Sequence, residues 1–239
     1  MAGLPRRLLR PYRVALRIAK YWILKLNVQN SIKDICDSHF RYWSFENHIN
    51  RLGLTKGILA LRAQNPVIFE TGTSAYGVDS SRLFDRIASC LSGTFISVDI
   101  NPQPKRSLLF QHSRRSRFFV EDSVTFIKSR LPELVEHVDL CYLDSWDVDW
   151  SQPSMAEAHG LAEFMAIHYL LPVNSILMID DTPNRLELIP QEYLAKAREY
   201  QIQTGRIPGK GSLVLSHDFF LCYEIIHHEY NMVAIKRFL

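Results

Sequence analysis

Three aspartates follow two apolar segments of the chain, and their arrangement is typical of a metal site. Asp144 ends the segment VDLCYLD (138–144), and Asp180 and Asp181 close the segment SILMIDD (175–181). If the two segments are neighbouring strands, the three carboxylates meet, and like charges at close range raise one another's pKa. A divalent cation with oxygen ligands, such as Mg²⁺, relieves that conflict. The alternative is that Asp181 caps the following turn and that no metal binds.

A second motif, IFETGTSAYGVDSS (68–81), joins an apolar segment to a helix-like stretch through a turn that contains glycine. The spacing of Gly72 and Gly77 departs from the GxGxxG pattern, whose glycines let the backbone approach a pyrophosphate. Glu70 would also place a negative charge near such a phosphate. An acid at this point suits a cationic ligand, and S-adenosylmethionine carries both a sulfonium and an ammonium group.

Two further acidic positions favour a nucleoside ligand. Asp99 ends the segment TFISVD, about 20 residues beyond the turn, where a carboxylate can accept both ribose hydroxyls. The alternative is that Asp99 caps the next turn. Asp122 and Ser123 follow the segment RFFVE, where an adenine amine could be bound, and the alternative there is a helix N-cap.

Two residues outside these motifs could also do chemistry. His159 begins the helix-like stretch HGLAEFMAIHYL, with Glu163 one turn later on the same face. A histidine can remove a proton near neutral pH, although a structural contact explains the same pair. Lys210, within GKG at 209–211, either closes over the site or is a solvated lysine in a mobile loop.

The elements that must position these residues alternate between short apolar runs and longer amphipathic stretches, which predicts a parallel sheet with crossover helices. Five runs each end in an acid, and in a parallel sheet those ends share the edge where ligands bind. The runs CYEIIHHEY and MVAIKRF are separated by little more than Asn231, so they must be antiparallel. The predicted strands are 66–70, 94–99, 117–121, 138–144, 175–180, 222–230 and 232–238, and the predicted helices are 31–52, 54–63 and 190–203.

The positive charge is concentrated at the start of the chain. Seven of the 28 Lys and Arg residues lie within residues 1–30, which contain no acid, so the rest of the chain has more acids than bases. Residues 5–27 read as an amphipathic helix that either lies on an anionic membrane surface or packs on this chain or a second subunit. No apolar run reaches the ~20 residues of a membrane span. Four widely spaced cysteines without a Cys/His cluster favour buried thiols in a reducing compartment, so we expect a cytoplasmic protein.

The order of ETGTSAYG, SVDINP, LDSWDVDW, IDDTP, GKG and a terminal antiparallel hairpin resembles class I S-adenosylmethionine-dependent methyltransferases. More narrowly, it is similar to the catechol O-methyltransferase-like group and its bacterial relatives acting on sugars and natural products. The resemblance covers about residues 60–239, so residues 1–60 are expected to be a helical extension and 61–239 the methyltransferase domain. It implies a Rossmann-like α/β fold, with a mostly parallel seven-stranded sheet in the order 3-2-1-4-5-7-6 and an antiparallel last strand.

The resemblance also implies roles for individual residues. Asp147 stands where relatives place a histidine or a basic residue, so it joins His159 as a candidate base. The implied contacts are Gly72, Thr73 and Ser74 with the methionine part of the cofactor, Asp99 with the ribose, Asp122 and Ser123 with the adenine, and Asp144, Asp180 and Asp181 with the metal.

The expected activity is therefore metal-assisted methyl transfer to an oxygen of a small polar molecule, a natural product or a glycan. One alternative is a binding scaffold that keeps the fold without turnover. Another is a nucleic-acid methyltransferase that uses residues 1–30 as a basic arm. The acidic body of the chain and the lack of an aromatic base-stacking arrangement disfavour nucleic acid. A homo-oligomer is compatible with the sequence.

Overall fold

The computed structural model describes residues 31–73, 78–101 and 112–238. Within these ranges, seven strands form one sheet in the order β3-β2-β1-β4-β5-β7-β6, which confirms the predicted order. The basic helix expected within residues 5–27 lies outside the described residues, as does Ser74. The strands are β1 (Val67–Thr71), β2 (Thr94–Asp99), β3 (Ser116–Val120), β4 (Leu140–Leu143), β5 (Ile176–Ile179), β6 (Tyr223–His228) and β7 (Met232–Lys236).

The central strands are buried on both faces, as expected for β-branched and aliphatic runs in a parallel sheet. Strands β1 to β5 pair in parallel, and β7 runs antiparallel to both β5 and β6. The register aligns Thr71 with Leu143 and Leu143 with Ile179. The carboxyl ends of β1, β4 and β5 therefore meet at one edge.

Helices cover both faces of the sheet, and the alternating side chains of each strand supply two hydrophobic layers. One layer packs α1, α2 and α3 on sheet residues such as Ile68, and the other packs α4, α6 and α8 on residues such as Phe69. The helices are α1 (Ile32–Tyr42), α2 (Arg51–Ala60), α3 (Ser80–Cys90), α4 (Ser123–Ser129), α5 (Leu131–Leu134), α6 (Ser154–Ile167), α7 (Leu194–Thr204) and α8 (Ser212–Leu215).

The prediction of one helix over residues 31–52 is wrong. Ser31 caps α1 in a reciprocal capping box with Asp34, but the helix ends at Tyr42. The backbone N–H groups of Trp43 and Ser44 both donate to the His39 carbonyl, which closes the last turn. Residues 43–50 are irregular, and α2 begins only at Arg51. This interruption brings two polar side chains to the sheet edge, as described below.

No helix among the described residues is both long enough and apolar enough to cross a membrane. The predicted helix over 190–203 corresponds to α7, preceded by a short 3₁₀ turn at Gln191–Tyr193.

Candidate active site

A pocket of about 330 Å³ opens at the edge of the sheet where β4 and β5 end. The structure brings the three predicted metal ligands together there, with one carboxylate oxygen of each of Asp144, Asp180 and Asp181 within 4.8 Å of the others. The described residues that line the pocket are His48, Asn50, Val78, Asp144, Asp147, Asp180 and Asp181.

Lys210 pairs with this carboxylate cluster. Its Nζ lies 2.5 Å from Asp144 Oδ1 and 3.2 Å from Asp181 Oδ2, and its side chain is only 3% exposed. The interpretation of Lys210 as a solvated loop lysine is therefore wrong, because an ammonium buried to this degree depends on its carboxylate partners.

The loop that carries Lys210 is packed against the end of β5. The Lys210 N–H donates to the Asp181 carbonyl at 2.9 Å, and the Gly211 N–H donates to Thr182 Oγ1 at 3.0 Å. A Cβ on Gly209 would lie 2.4 Å from the Asp181 carbonyl oxygen. Any larger residue at position 209 would therefore clash with the backbone that follows β5. The loop was expected to be mobile, but these hydrogen bonds anchor it to the residues that follow β5.

The cluster has an excess of negative charge that a divalent cation could balance. Burial raises the pKa of Asp144 well above its usual range, and burial with the neighbouring Asp181 raises the pKa of Asp180 to about 6. Burial alone would lower the pKa of Lys210, but the three carboxylates reverse the effect and raise it. When ionised, three carboxylates and one ammonium carry two net negative charges. Asp144 Oδ2 is buried and has no hydrogen-bond partner among the described residues, so an oxygen ligand is available. The residues therefore fit a hard divalent cation.

Gly72 sets the turn after β1 against the end of β4. Its φ of +81° lies in the left-handed region, and a Cβ there would be 2.1 Å from the Asp144 carbonyl oxygen. The Gly72 N–H donates to the Val98 carbonyl at 2.9 Å, which ties the turn to β2 as well. Both the backbone conformation and the space require glycine, and the turn is thereby placed beside the carboxylate cluster.

Glu70 lies beneath this turn and is fully buried. Its carboxylate accepts hydrogen bonds from Ser80 Oγ at 2.5 Å, from Ser97 Oγ at 2.7 Å and from Ser81 Oγ. Burial raises its pKa to about 7 despite these three donors. The contacts join β1, β2 and the start of α3 within the protein, and a contact with a cationic ligand stays a prediction.

Glu70 should make the stability of the protein depend on pH. Its pKa rises on folding from 4.5 to about 7, so its stabilising contribution is complete below pH 4.5 and is lost by about pH 7. As the pH rises through this window, the free energy of unfolding should fall more steeply in the wild type than in Glu70→Gln. The difference between the two slopes should be on the order of 1 kcal/mol per pH unit. Urea denaturation at several pH values measures both slopes, with the exposed Glu133→Gln as the control. Equal slopes for wild type and Glu70→Gln would contradict the assignment.

Asp99 holds the backbone at the end of β2. Its Oδ2 accepts the N–H of Thr73 at 2.8 Å, and its Oδ1 accepts the N–H of Asn101 at 2.6 Å. Asp99 therefore does cap the turn that follows β2, as the alternative interpretation predicted. A ribose contact stays a prediction that is compatible with it, because each carboxylate oxygen can accept more than one hydrogen bond.

The adenine candidates lie at the start of α4. Asp122 is the N-cap and accepts the Thr125 N–H at 2.8 Å, while Ser123 Oγ lies 3.1 Å from His159 Nε2. The hydrogen bond from the Thr125 backbone holds the pKa of Asp122 below its usual range. Their capping and hydrogen-bonding roles are thus observed, and contact with an adenine stays a prediction.

The two candidate bases occupy different places. Asp147 is exposed and lines the pocket beside the carboxylate cluster, whereas His159 is not among the described lining residues. His159 Nε2 lies 2.9 Å from Ser145 Oγ and 3.5 Å from Glu163, whose hydrogen bond raises the histidine's pKa. The contacts of His159 are those of a structural histidine near the adenine candidates, while Asp147 lies in the pocket; a role as base stays a prediction for both.

His48 and Asn50 are site residues that the sequence interpretation did not identify. Asn50 Nδ2 donates to Asp180 Oδ1 at 2.7 Å across a separation of 130 residues. One helix was predicted through this stretch, so the turn at the sheet edge was missed. Helix-disfavouring residues such as Ser44 and Asn47 were the available signal for the interruption.

Sequence comparison finds no relative: no protein-family model matches the chain, and no curated protein matches it at a significant level.

The fold is similar to crystal structures of the MycE methyltransferase from the mycinamycin biosynthetic pathway. A complex of that protein with Mg and SAH (S-adenosylhomocysteine) is 15% identical, with a TM-score of 0.58, and covers 87% of this chain. A complex with Mg, SAH and mycinamycin VI is 14% identical, with a TM-score of 0.57 and the same 87% coverage. This chain spans 55% of the length of MycE in both structures. The chain therefore has a Rossmann-like α/β fold similar to that of the MycE methyltransferase.

Proposed function

We propose that the protein is an S-adenosylmethionine-dependent methyltransferase that methylates a hydroxyl oxygen with the help of a divalent cation. The observation that carries the proposal is the carboxylate cluster of Asp144, Asp180 and Asp181, which faces a pocket directly beside the Gly72 turn. The MycE structures support it, since that protein of similar fold was crystallised with Mg and SAH.

The cofactor would bind along the ends of β1, β2 and β3. Gly72, Thr73 and Ser74 would hold its methionine part, Asp99 its ribose, and Asp122 with Ser123 its adenine. When bound, S-adenosylmethionine supplies a methyl group on a sulfonium. Within the protein, Asp99 already holds Thr73 through its backbone N–H, so this part of the site would be formed before the cofactor binds.

Asp144, Asp180 and Asp181 would hold the cation, most simply Mg²⁺. When bound, a divalent cation lowers the pKa of a hydroxyl group that it contacts. Lys210 and Asn50 would orient the ligands, because Lys210 holds Asp144 and Asp181 while Asn50 holds Asp180. Asp147 would accept the proton of the acceptor hydroxyl, with His159 as the second candidate.

The proposal can be tested by incubating the protein with S-adenosylmethionine and three acceptor probes: methyl α-D-mannopyranoside, methyl α-L-rhamnopyranoside and 3,4-dihydroxybenzoate. We expect mass spectrometry to detect S-adenosylhomocysteine with at least one probe. EDTA should suppress its formation at least tenfold. Asp147→Asn should lower the rate by about 100-fold, the lower range for a lost general base. His159→Asn, the matched comparison, should keep most of the activity.

The outcomes separate the parts of the proposal. Turnover that EDTA does not change would overturn the role of the metal and leave methyl transfer standing. A loss of activity in His159→Asn, with Asp147→Asn unaffected, would exchange the two candidate bases. No product with any probe would contradict methyl transfer to hydroxyls of these classes.

A further inference from the structure

The irregular segment 43–50 contributes His48 and Asn50 to the pocket. The proposed function uses Asn50 Nδ2 to hold Asp180 but assigns no role to Asn50 Oδ1 or to His48. We propose that His48 and Asn50 form a subsite for an acceptor hydroxyl, in which Asn50 Oδ1 accepts the hydrogen bond of the hydroxyl and His48 Nε2–H donates one to its oxygen. The inference rests on the proposed methyl transfer and specifies its acceptor as a neutral, saturated compound bearing several hydroxyl groups.

The side chain of Asn50 does not play the role that its position in the chain would ordinarily give it. It occupies the N-cap position of α2, where an asparagine side chain ordinarily accepts a backbone N–H of the first turn. Its side chain makes no such capping bond and instead donates through Nδ2 to Asp180. Asn50 is 3% exposed, and its Oδ1 has no hydrogen-bond partner among the described residues. A buried carbonyl oxygen without a donor is unfavourable, so a donor from a ligand would complete it.

His48 offers the complementary group. Its Nδ1 accepts the backbone N–H of Asn50 at 3.2 Å, so a neutral imidazole carries its proton on Nε2. Burial lowers the pKa of His48, which favours the neutral ring. With Nδ1 engaged and Nε2 protonated, His48 is a hydrogen-bond donor to the pocket rather than a base. A hydroxyl group, which donates and accepts at the same time, satisfies both residues.

The segment is held in place by contacts on both sides. Asn231 Nδ2 donates to the Asn50 carbonyl at 3.5 Å, and Arg51 Nη1 donates to the Glu46 carbonyl at 2.9 Å. A Cβ on Gly53 would lie 2.0 Å from Asn231 Oδ1, so α2 approaches the β6–β7 turn as closely as glycine permits. The subsite therefore rests on a fixed backbone.

The lining of the pocket narrows the class of acceptor. Among its described lining residues, Val78 is the single apolar side chain, and four are aspartates. With a divalent cation bound, the cation and Lys210 together offset the charges of the carboxylate cluster, and the carboxylate of Asp147 leaves one net negative charge at the pocket. The described part of this surface therefore offers little contact to an aromatic ring and disfavours an anionic acceptor. It suits a neutral molecule whose several hydroxyl groups hydrogen-bond to carboxylate and carboxamide oxygens.

Saturation-transfer NMR on protein loaded with S-adenosylhomocysteine and Mg²⁺ tests this inference without requiring turnover. The probes are methyl α-D-mannopyranoside and methyl α-L-rhamnopyranoside, with 3,4-dihydroxybenzoate as the aromatic anion. The wild type should bind a glycoside in preference to the benzoate. Asn50→Ala and His48→Ala should each weaken glycoside binding about tenfold, the effect of one lost hydrogen bond. His137→Ala, which removes a half-exposed histidine, should leave it unchanged.

Calorimetric titration of S-adenosylhomocysteine into the wild type and the same variants, before they are loaded with the cofactor, distinguishes a failure of the subsite from a failure of the proposed function. Unchanged cofactor affinity in both variants, together with weaker glycoside binding, would support the subsite. Equal glycoside binding by wild type and both variants, preference for the benzoate, or no glycoside binding by cofactor-loaded wild type would each overturn it. Failure of the wild type to bind the cofactor would overturn the proposed function and this inference with it.

Discussion

Replacing Lys210 by methionine is expected to destabilise the protein by about 3 kcal/mol, because it removes one partner of a buried ion pair and leaves the other uncompensated. Lys210 Nζ contacts Asp144 and Asp181, and its side chain is 3% exposed. Methionine keeps most of the apolar stem, so the change in packing is small compared with the change in charge. Protonation of the raised-pKa carboxylates should limit the loss at low pH.

Urea denaturation of wild type and Lys210→Met measures this difference, with Lys128→Met as the control for an exposed lysine. Saturating Mg²⁺ should stabilise Lys210→Met more than it stabilises the wild type, since the ion would replace the missing positive charge. Equal stability of Lys210→Met and wild type without Mg²⁺ would contradict the assignment of Lys210 as the internal counter-charge of the cluster.

Replacing Gly72 by alanine is expected to cost about 3 kcal/mol or more, because two separate effects add. The residue has a φ of +81°, which L-residues with a Cβ rarely adopt. The new Cβ would also lie 2.1 Å from the Asp144 carbonyl oxygen, and that atom belongs to backbone that cannot move without shifting the carboxylate cluster. The substitution should therefore reduce both stability and affinity for S-adenosylhomocysteine.

Gly205 provides the matched control for this substitution. It has a similar φ of +72°, but among the described residues no atom outside its own helix and its chain neighbours lies within 4 Å of its Cβ position. Gly205→Ala should cost only about 1 kcal/mol, the price of the left-handed conformation alone. The difference between the two variants, measured by denaturation, reports the close approach of the Gly72 turn to β4. Similar losses in both would indicate that the contact with Asp144 can relax.

The parts of the fold that local pattern determines were predictable. All seven strands of the described residues overlap predicted apolar runs. For the central strands β1, β4 and β5 the reason is that a buried parallel strand has a continuous β-branched or aliphatic sequence whatever surrounds it. The acids that end β4 and β5 were correctly expected to converge, since parallel neighbours share an edge. The strand order came from the resemblance to a family and not from periodicity.

The parts that depend on distant contacts were not predictable. Asn50 lies 130 residues from Asp180 in the chain, and nothing near position 50 indicates that partner. The burial of Lys210 depends on Gly160, since a Cβ there would lie 2.4 Å from the Lys210 carbonyl oxygen. The three serine hydroxyls that donate to Glu70 come from β2 and the start of α3, and nothing in the sequence around Glu70 indicates those partners. In each case packing between elements decides the role of the side chain, and local sequence does not.

Calorimetric titration with S-adenosylhomocysteine in the presence of Mg²⁺ tests the central claim most directly, which is that this sheet edge binds the cofactor of methyl transfer. We predict saturable binding of one ligand per chain to the wild type. Asp99→Ala should bind at least tenfold more weakly, while Glu133→Ala, a change at an exposed position on α5, should bind like the wild type. Absence of binding by the wild type at millimolar ligand would contradict the account.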